Sequence, residues 1–231
     1  MNHRIVVMTL LLLSASVLPI AAAPHDAGPR TTIPVQKNPE RHEYFLKVAK
    51  AGGVDLLFVG DSITDRWRSV GRTVWHQYFA PLKAANFGVD GDGTEHVIWR
   101  MRNGELEGIK PKLVVLLIGT NDYDAAPDVA AGIKTIISDI HGRLPGTKIL
   151  LLGILPRNER PGSRAKYDQV NKLISHFADK RKVAYLDIGP KFLAPGGILR
   201  KDLMPDFLHP SEEGYRIWAE AIIDKVKQMI R

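Results

Sequence analysis

The chain has 231 residues, of which 45% are hydrophobic and 25% charged, values that are ordinary for one globular domain with a full core. Its formal net charge of +7 favours anionic partners, but the basic residues are scattered and do not alternate with aromatic ones as in nucleic-acid-binding segments. The absence of cysteine excludes disulfides, thiol catalysis, cysteine metal sites and a cysteine-linked lipid anchor.

The N-terminus, residues 1–23, has the pattern of a secretory signal peptide. A basic start precedes an apolar run over residues 5–13 that contains one polar residue, Thr9, and small residues follow it. We place cleavage after Ala22, because a cut one residue later would leave Pro24 at the scissile bond. An uncleaved membrane anchor is the alternative, which Pro19 and the short apolar run disfavour. We therefore predict a secreted or periplasmic protein with no stable membrane insertion after cleavage.

The rest of the chain divides into a linker, residues 24–39, and one domain, residues 40–231. The linker is rich in proline and short polar residues and has no apolar period. Apolar segments of the domain are predicted as strands at residues 54–59, 84–87, 113–118, 148–152 and 183–187. Helical segments alternate with them at residues 40–51, 72–82, 127–143, 166–180 and 211–230, and from Thr94 onward. This alternation predicts a three-layer α/β/α sandwich with a five-stranded, mainly parallel sheet.

The first predicted strand ends in Gly60-Asp61-Ser62, where the chain turns toward a helix. Thr64 and Asp65 are good N-cap residues, so we expect that helix to begin beside them. Open parallel sheets place their chemistry at the carboxyl ends of strands, where Ser62 lies. Taken alone, the motif is equally typical of a turn or a helix cap.

Asp206 and His209 lie three residues apart, just before the last predicted helix. One turn can place the carboxylate against one imidazole nitrogen and direct the other nitrogen at Ser62, so that the histidine can take the serine proton. Considered singly, a histidine before a helix is more often structural, and the aspartate is as easily a turn cap.

Acyl transfer also requires hydrogen-bond donors for a developing oxyanion. The amide of Ser62 is one candidate, and the backbone at Gly91 is another because glycine permits close approach. The side-chain amide of Asn121, after the third strand, is the third candidate. Glycines and Asn-Asp pairs are also ordinary turn formers.

Four motifs in this order resemble the SGNH family of esterases, also called the GDSL family. They are Gly60-Asp61-Ser62-Ile63, the glycine loop at Gly91, Gly119-Thr120-Asn121-Asp122, and Asp206-Phe207-Leu208-His209. The chain is most similar to catalytic subunits of the intracellular platelet-activating-factor acetylhydrolase type. Residues 86–88, 94–100, 103–106 and 155–157 share this likeness. It extends from about residue 54 to the C-terminus and implies the flavodoxin-like SGNH hydrolase fold.

The resemblance implies a role for each candidate residue. Ser62 is expected to be the nucleophile, His209 the general base and Asp206 its partner. Ser62, Gly91 and Asn121 are expected to form the oxyanion hole. The resemblance implies neither a metal nor any other cofactor.

Two positions depart from the family pattern. Asp90 stands where those subunits usually have glycine, which adds negative charge beside the oxyanion site. Ile63 replaces a commoner leucine, which is a mild change. Beside the catalytic positions, Tyr123 and Phe207 are candidate pocket walls.

A basic loop follows the fourth predicted strand and contains Arg157, Arg160, Arg164 and Lys166. It is either a solvated loop, the more frequent case, or a border of the active site that attracts anionic substrates.

We therefore predict an exported serine esterase that hydrolyses short acyl esters, acetyl esters first, through an acyl-enzyme. Deacetylation of a carbohydrate or glycan is the first choice for an exported enzyme, with lysophospholipid or thioester hydrolysis as alternatives. A non-catalytic polyanion-binding module is the alternative of another class, disfavoured because such a module need not retain all four motifs. The expected partner is a small-molecule or glycan ester rather than nucleic acid, and the sequence makes no prediction of oligomeric state.

Overall fold

A parallel β-sheet forms the centre of the protein in the computed structural model, which describes residues 28–158, 162–179 and 181–231. The predicted signal peptide lies outside the described residues. The sheet consists of β1 (Leu56–Gly60), β2 (Ala84–Gly88), β3 (Leu113–Leu117), β4 (Lys148–Leu152) and β5 (Val183–Leu186). The strand order is β2-β1-β3-β4-β5, and all neighbours are parallel. This order is the flavodoxin-like one, and the predicted fold class is confirmed.

Helices cover both faces of the sheet. The α-helices are α1 (Pro39–Ala51), α2 (Ser62–Asp65), α3 (Arg72–Tyr78), α4 (Thr94–Arg102), α5 (Ala126–Arg143), α6 (Ser163–Ser175) and α7 (Glu212–Ile230). Short 3-10 helices lie at Arg30–Thr32, Arg66–Arg68, Ala80–Leu82, Gly189–Phe192 and Pro195–Gly197. An antiparallel pair of two-residue strands, β6 (Leu193–Ala194) and β7 (Ile198–Leu199), lies outside the main sheet. These strands were not predicted, because two residues are too short to show an alternating pattern.

Two hydrophobic clusters hold the three layers together, one on each face of the sheet. Leu57 and Val59 of β1 belong to the cluster under α1, α4, α5 and α6. Leu56 and Phe58 belong to the cluster under α3 and α7. Successive strand residues point to opposite faces, so a strand buried on both sides has a continuous apolar sequence. This is why the central strands were recognisable from the sequence.

The helix that follows β1 begins earlier than predicted. Asp61 is its N-cap, because the Asp61 side chain accepts a 2.9 Å hydrogen bond from the Ile63 N–H. Thr64 and Asp65, the predicted caps, therefore lie inside α2. Since aspartate caps as well as threonine does, the sequence did not distinguish these positions. The shift places Ser62 at the first helical residue.

Two other helix starts also differ from the prediction. Pro127 was expected to open its helix but is the second residue of α5, which begins at Ala126. The next helix, expected over residues 166–180, is α6 and starts at Ser163 after Gly162, whose φ of 77° is in the left-handed region. In both cases residues before the predicted start extend the helix at its N-terminus, and α6 ends at Ser175 rather than at residue 180.

The end of the predicted linker packs against the domain. We call residues 30–38 the N-terminal strap. Thr31 is fully buried, and its hydroxyl donates to the Asp128 carbonyl of α5. The Thr31 carbonyl accepts a 2.9 Å hydrogen bond from the Thr94 hydroxyl of α4. Val35 N–H donates to the Glu95 carbonyl at 3.2 Å.

In the part of the chain that the structure describes, no helix is both long and apolar enough to cross a membrane.

Candidate active site

Ser62 lies at the carboxyl end of β1, at the start of α2. It is buried, with 4% of its surface exposed. The turn requires glycine at position 60, since a Cβ there would lie 2.2 Å from the Leu117 carbonyl oxygen of β3. Glycine is also required at position 88 of β2, where a Cβ would lie 2.2 Å from the Asp65 amide nitrogen. The serine turn is therefore packed backbone to backbone between the two strands that flank β1.

The structure brings Ser62, His209 and Asp206 into one hydrogen-bonded chain. Ser62 Oγ lies 3.0 Å from His209 Nε2, and His209 Nδ1 lies 2.7 Å from Asp206 Oδ2. With its proton on Nδ1, the imidazole donates to the carboxylate and leaves Nε2 to accept from the serine hydroxyl. The three side chains thus have the geometry that a general base needs to remove a serine proton.

The turn from Asp206 to His209 is held by the same carboxylate. Asp206 Oδ1 accepts main-chain hydrogen bonds from Leu208 at 3.0 Å and from His209 at 2.7 Å. Partial burial acts to raise the pKa of Asp206, but these bonds and the one from the His209 ring outweigh burial and hold that pKa below its usual value. Arg66 adds a cation 4.0 Å from Asp206 Oδ2, a contact that the sequence did not indicate.

Asn121 contacts the loop that carries Gly91. The Asp92 N–H donates to the Val89 carbonyl at 3.2 Å, which closes a tight turn with Gly91 at a φ of 71°. The Asn121 side-chain nitrogen donates to the Asp92 carbonyl at 2.9 Å. Asn121 therefore ties the two predicted oxyanion loops to each other. Because an amide nitrogen carries two hydrogens, one N–H remains for a substrate oxygen.

A buried ionic cluster supports the Gly91 loop through Asp92. Arg100 is fully buried and donates to Asp92 Oδ2 at 3.0 Å, to Glu105 and to the Phe87 carbonyl at 3.2 Å. His42 Nδ1 lies 2.8 Å from the other oxygen of Glu105. Burial raises the pKa of Asp92 to about 6, against the attraction of Arg100. Sequence reasoning missed this cluster.

The spacing of residues along α4 does indicate part of this ionic cluster. Arg100 follows Val97 by three residues and therefore lies on the buried face of the helix. A charged residue on an apolar helix face must be paired when it is buried, which indicates an ion pair with the preceding loop.

The carbonyl groups on either side of Asn121 accept hydrogen bonds from Arg157 of the basic loop and from two residues of α6. Arg157, only 3% exposed, donates to the Thr120 carbonyl and hydroxyl. Lys166 donates to the Asp122 carbonyl. Tyr167 Oη donates to the Thr120 carbonyl at 2.7 Å. Arg157 and Lys166 thus border the site and are not members of a solvated loop.

The other two members of that basic loop lie elsewhere. Arg164 donates to the Gly197 carbonyl, away from Asn121. Arg160 lies outside the described residues.

Asp122, next to Asn121, shares a buried environment with Glu95. Burial and the Glu95 carboxyl raise the pKa of Asp122 to about 8. The Thr94 N–H donates to both oxygens of Asp122 at 3.2 Å. The loop that carries Asn121 is therefore anchored to the first turn of α4.

Tyr123 and Phe207, the predicted pocket walls, are partly open to solvent. Tyr123 is 59% exposed and Phe207 36% exposed. Phe207 has a φ of 61°, a left-handed conformation that is rare for a bulky residue.

Asp90, the departure from the family pattern, is exposed beside Gly91. Among the described residues, no group of three or more histidine, aspartate or glutamate side chains could hold a metal ion.

Comparison with known proteins decides the family. A family model described as the GDSL-like Lipase/Acylhydrolase family matches residues 58–217. The chain belongs to this family. Human platelet-activating factor acetylhydrolase IB subunit alpha2 is 39% identical over 193 residues, which cover 82% of this chain and 83% of the human protein. The human alpha1 subunit is 39% identical over 177 residues, covering 75% and 76%.

A solved structure supports the fold of this GDSL-like acylhydrolase. A protein from Streptococcus pneumonia superposes with a TM-score of 0.71 at 24% identity, over 81% of this chain and 92% of that one. The family match and the relatives at 39% identity confirm the predicted family resemblance, and this GDSL-like acylhydrolase is an ester-hydrolysing enzyme. The roles of its individual side chains remain predictions that rest on the geometry above.

Proposed function

We propose that the protein is an exported serine esterase that removes short acyl groups, acetyl above all, from carbohydrate or glycan esters. The observation that carries the serine mechanism is the continuous chain from Ser62 Oγ through His209 to Asp206, with links of 3.0 Å and 2.7 Å. Acetyl is favoured because the curated relatives at 39% identity are named acetylhydrolases.

The proposed reaction has two steps. Ser62 Oγ attacks the ester carbonyl carbon while His209 Nε2 takes the hydroxyl proton, and the C–O bond to the alcohol breaks as His209 gives that proton to the departing oxygen. Water then attacks the acyl-enzyme with His209 again acting as base, which releases the acid and restores Ser62. In both steps the carbonyl oxygen gains negative charge that the Gly91 and Ser62 amides and the Asn121 side chain stabilise.

Hydrolysis of p-nitrophenyl acetate, butyrate and octanoate by the mature protein tests the mechanism and the acyl preference. Ser62→Ala should lower kcat by several orders of magnitude. Ser69→Ala is the matched control, because Ser69 is an exposed serine nearby on the same stretch of chain. The same trace activity in wild type and Ser62→Ala would contradict the serine mechanism and favour the polyanion-binding module.

Acetate release from three classes of substrate tests the alcohol moiety: acetylated oligosaccharides, an acetylated phospholipid and an acetyl thioester. The proposal expects the highest kcat/KM on the oligosaccharides. A preference for the phospholipid or the thioester would replace the carbohydrate proposal with that class.

Export is tested by the mass of the mature N-terminus. When the full-length chain is produced in a secretion-competent bacterium, we expect protein in the periplasm or medium that begins at Ala23. Intact chain beginning at Met1 in the membrane fraction would indicate a tethered form instead.

A further inference from the structure

The N-terminal strap contacts both oxyanion loops and the helix between them. Arg30 forms ion pairs with Glu95 of α4 and with Asp124, three residues after Asn121. Farther along the strap, the Lys37 ammonium donates a hydrogen bond to the Gly91 carbonyl. The strap therefore reaches from the Asn121 loop to the Gly91 loop.

The Lys37 ammonium lies directly beside the backbone of Gly91. A Cβ built on Gly91 would be 2.8 Å from Lys37 Nζ. Lys37 is half-buried, whereas Gly91 and Asp90 are exposed. A cation so close to a loop peptide both restrains that peptide and contributes a positive potential at the loop.

The acidic residues beside Gly91 give the Lys37 ammonium an electrostatic role. Gly91 lies between two acidic residues, Asp90 and Asp92. Asp92 is buried and paired with Arg100, whereas Asp90 is exposed and adds a carboxylate directly before Gly91. A carboxylate near a developing oxyanion raises its energy, and a cation at the same loop offsets that effect.

We propose that Lys37 is a positioning residue of the oxyanion hole, which holds the Gly91 loop and offsets the charge of Asp90 during acyl transfer. The inference rests on the proposed serine mechanism, and it assigns to the strap a part in catalysis. Lys37 acts through Gly91 and is not required to touch the substrate.

The test compares kcat and KM for p-nitrophenyl acetate among single variants of the full mature chain. Lys37→Met should lower kcat roughly tenfold with KM changed less than about twofold, a smaller loss than removal of an oxyanion donor itself. Lys37→Arg, which retains charge and donor, should restore most of kcat. Lys47→Met, an exposed lysine on α1, is the matched control and should equal wild type.

A second variant separates electrostatic positioning from a merely structural contact. Asp90→Asn should raise kcat more in the Lys37→Met background than in wild type, because the uncompensated carboxylate is then removed. Wild-type kcat in Lys37→Met would overturn the inference. So would a loss that neither Lys37→Arg nor the added Asp90→Asn recovers.

Reaction with diethyl p-nitrophenyl phosphate distinguishes failure of the Lys37 proposal from failure of the proposed serine mechanism. Ser62 Oγ forms a bond to phosphorus, p-nitrophenolate leaves, and His209 takes the serine proton. If wild type reacts with neither the ester nor this phosphate, the serine mechanism and the role of Lys37 both fall. If wild type reacts and Lys37→Met reacts at the same rate, only the role of Lys37 falls.

Discussion

Tyr215 of α7 donates a hydrogen bond of 2.6 Å to the carbonyl oxygen of Ile63, the residue after Ser62. The Tyr215 ring also packs against Trp67, with ring centroids 4.4 Å apart. Since α7 follows His209 by only a few residues, this contact links the turn that carries the serine to the segment that carries the histidine.

Tyr215→Phe should lower the free energy of unfolding by about 1–2 kcal/mol, because it leaves the buried Ile63 carbonyl without its donor while the ring packing is kept. Urea denaturation measures the change. We also expect a fall in kcat with little change in KM, since the serine and the histidine lose a shared support. Tyr78→Phe is the control, because it also keeps its ring and removes a hydroxyl whose hydrogen bond to Glu220 is exposed.

Asn121→Ala should lower kcat for p-nitrophenyl acetate about 10²–10³-fold, the usual cost of one oxyanion donor. Asn121→Asp has nearly the same shape but presents oxygens in place of the amide nitrogen that contacts the Asp92 carbonyl. It should therefore be at least as inactive. Activity near that of wild type in both variants would remove Asn121 from the oxyanion hole.

Arg100→Met should destabilise the protein by about 3–5 kcal/mol, since it leaves Asp92 and Glu105 buried without their cation. Arg102→Met on the same helix is the control. Arg102 pairs with Asp139 at the surface, and a surface pair contributes about 0–1 kcal/mol. Chemical denaturation at pH 7 compares the two, and similar losses would count against the buried cluster as a support of the Gly91 loop.

Asp61→Asn should make stability less dependent on pH. Burial raises the pKa of Asp61 from its ordinary value of 3.8 to about 7. Between these values the unfolded chain releases a proton that the folded chain retains, so stability falls as pH rises. Asparagine keeps the oxygen that caps α2 but does not ionise.

The melting temperature of Asp61→Asn relative to wild type should therefore rise by about 5 °C between pH 5 and pH 8, from the expected change in unfolding free energy. Differential scanning calorimetry at the two pH values measures this. A difference that is the same at both would show that Asp61 ionises normally in the folded protein.

The sheet and the placement of the candidate site could be predicted because both follow local sequence patterns. A strand buried on both faces is a continuous apolar run, and such runs end just before Ser62 and before Asn121. Parallel strands share one carboxyl edge, so these two residues had to lie near each other. The turn from Asp206 to His209 was recognisable because three residues suffice to form it.

The supports of the site could not be predicted, because they depend on contacts between distant residues. Arg157 and Lys37 both donate to carbonyl oxygens of site loops, and a carbonyl acceptor has no sequence signature. The strap also lacks any apolar period, since its contacts are polar and main-chain ones. The composition of residues 24–39 therefore predicted a linker, although residues 30–38 pack against the domain.

His209 follows Ser62 by 147 residues, and α7, which Tyr215 joins to the serine turn, is the last helix described. If Ser62 and His209 react together as we propose, a chain emerging from the ribosome has no esterase activity until α7 has been made and has packed against the serine turn. Labelling of Ser62 by an organophosphate would then measure how many molecules have been synthesised through α7, because every shorter intermediate lacks His209 or the helix that follows it.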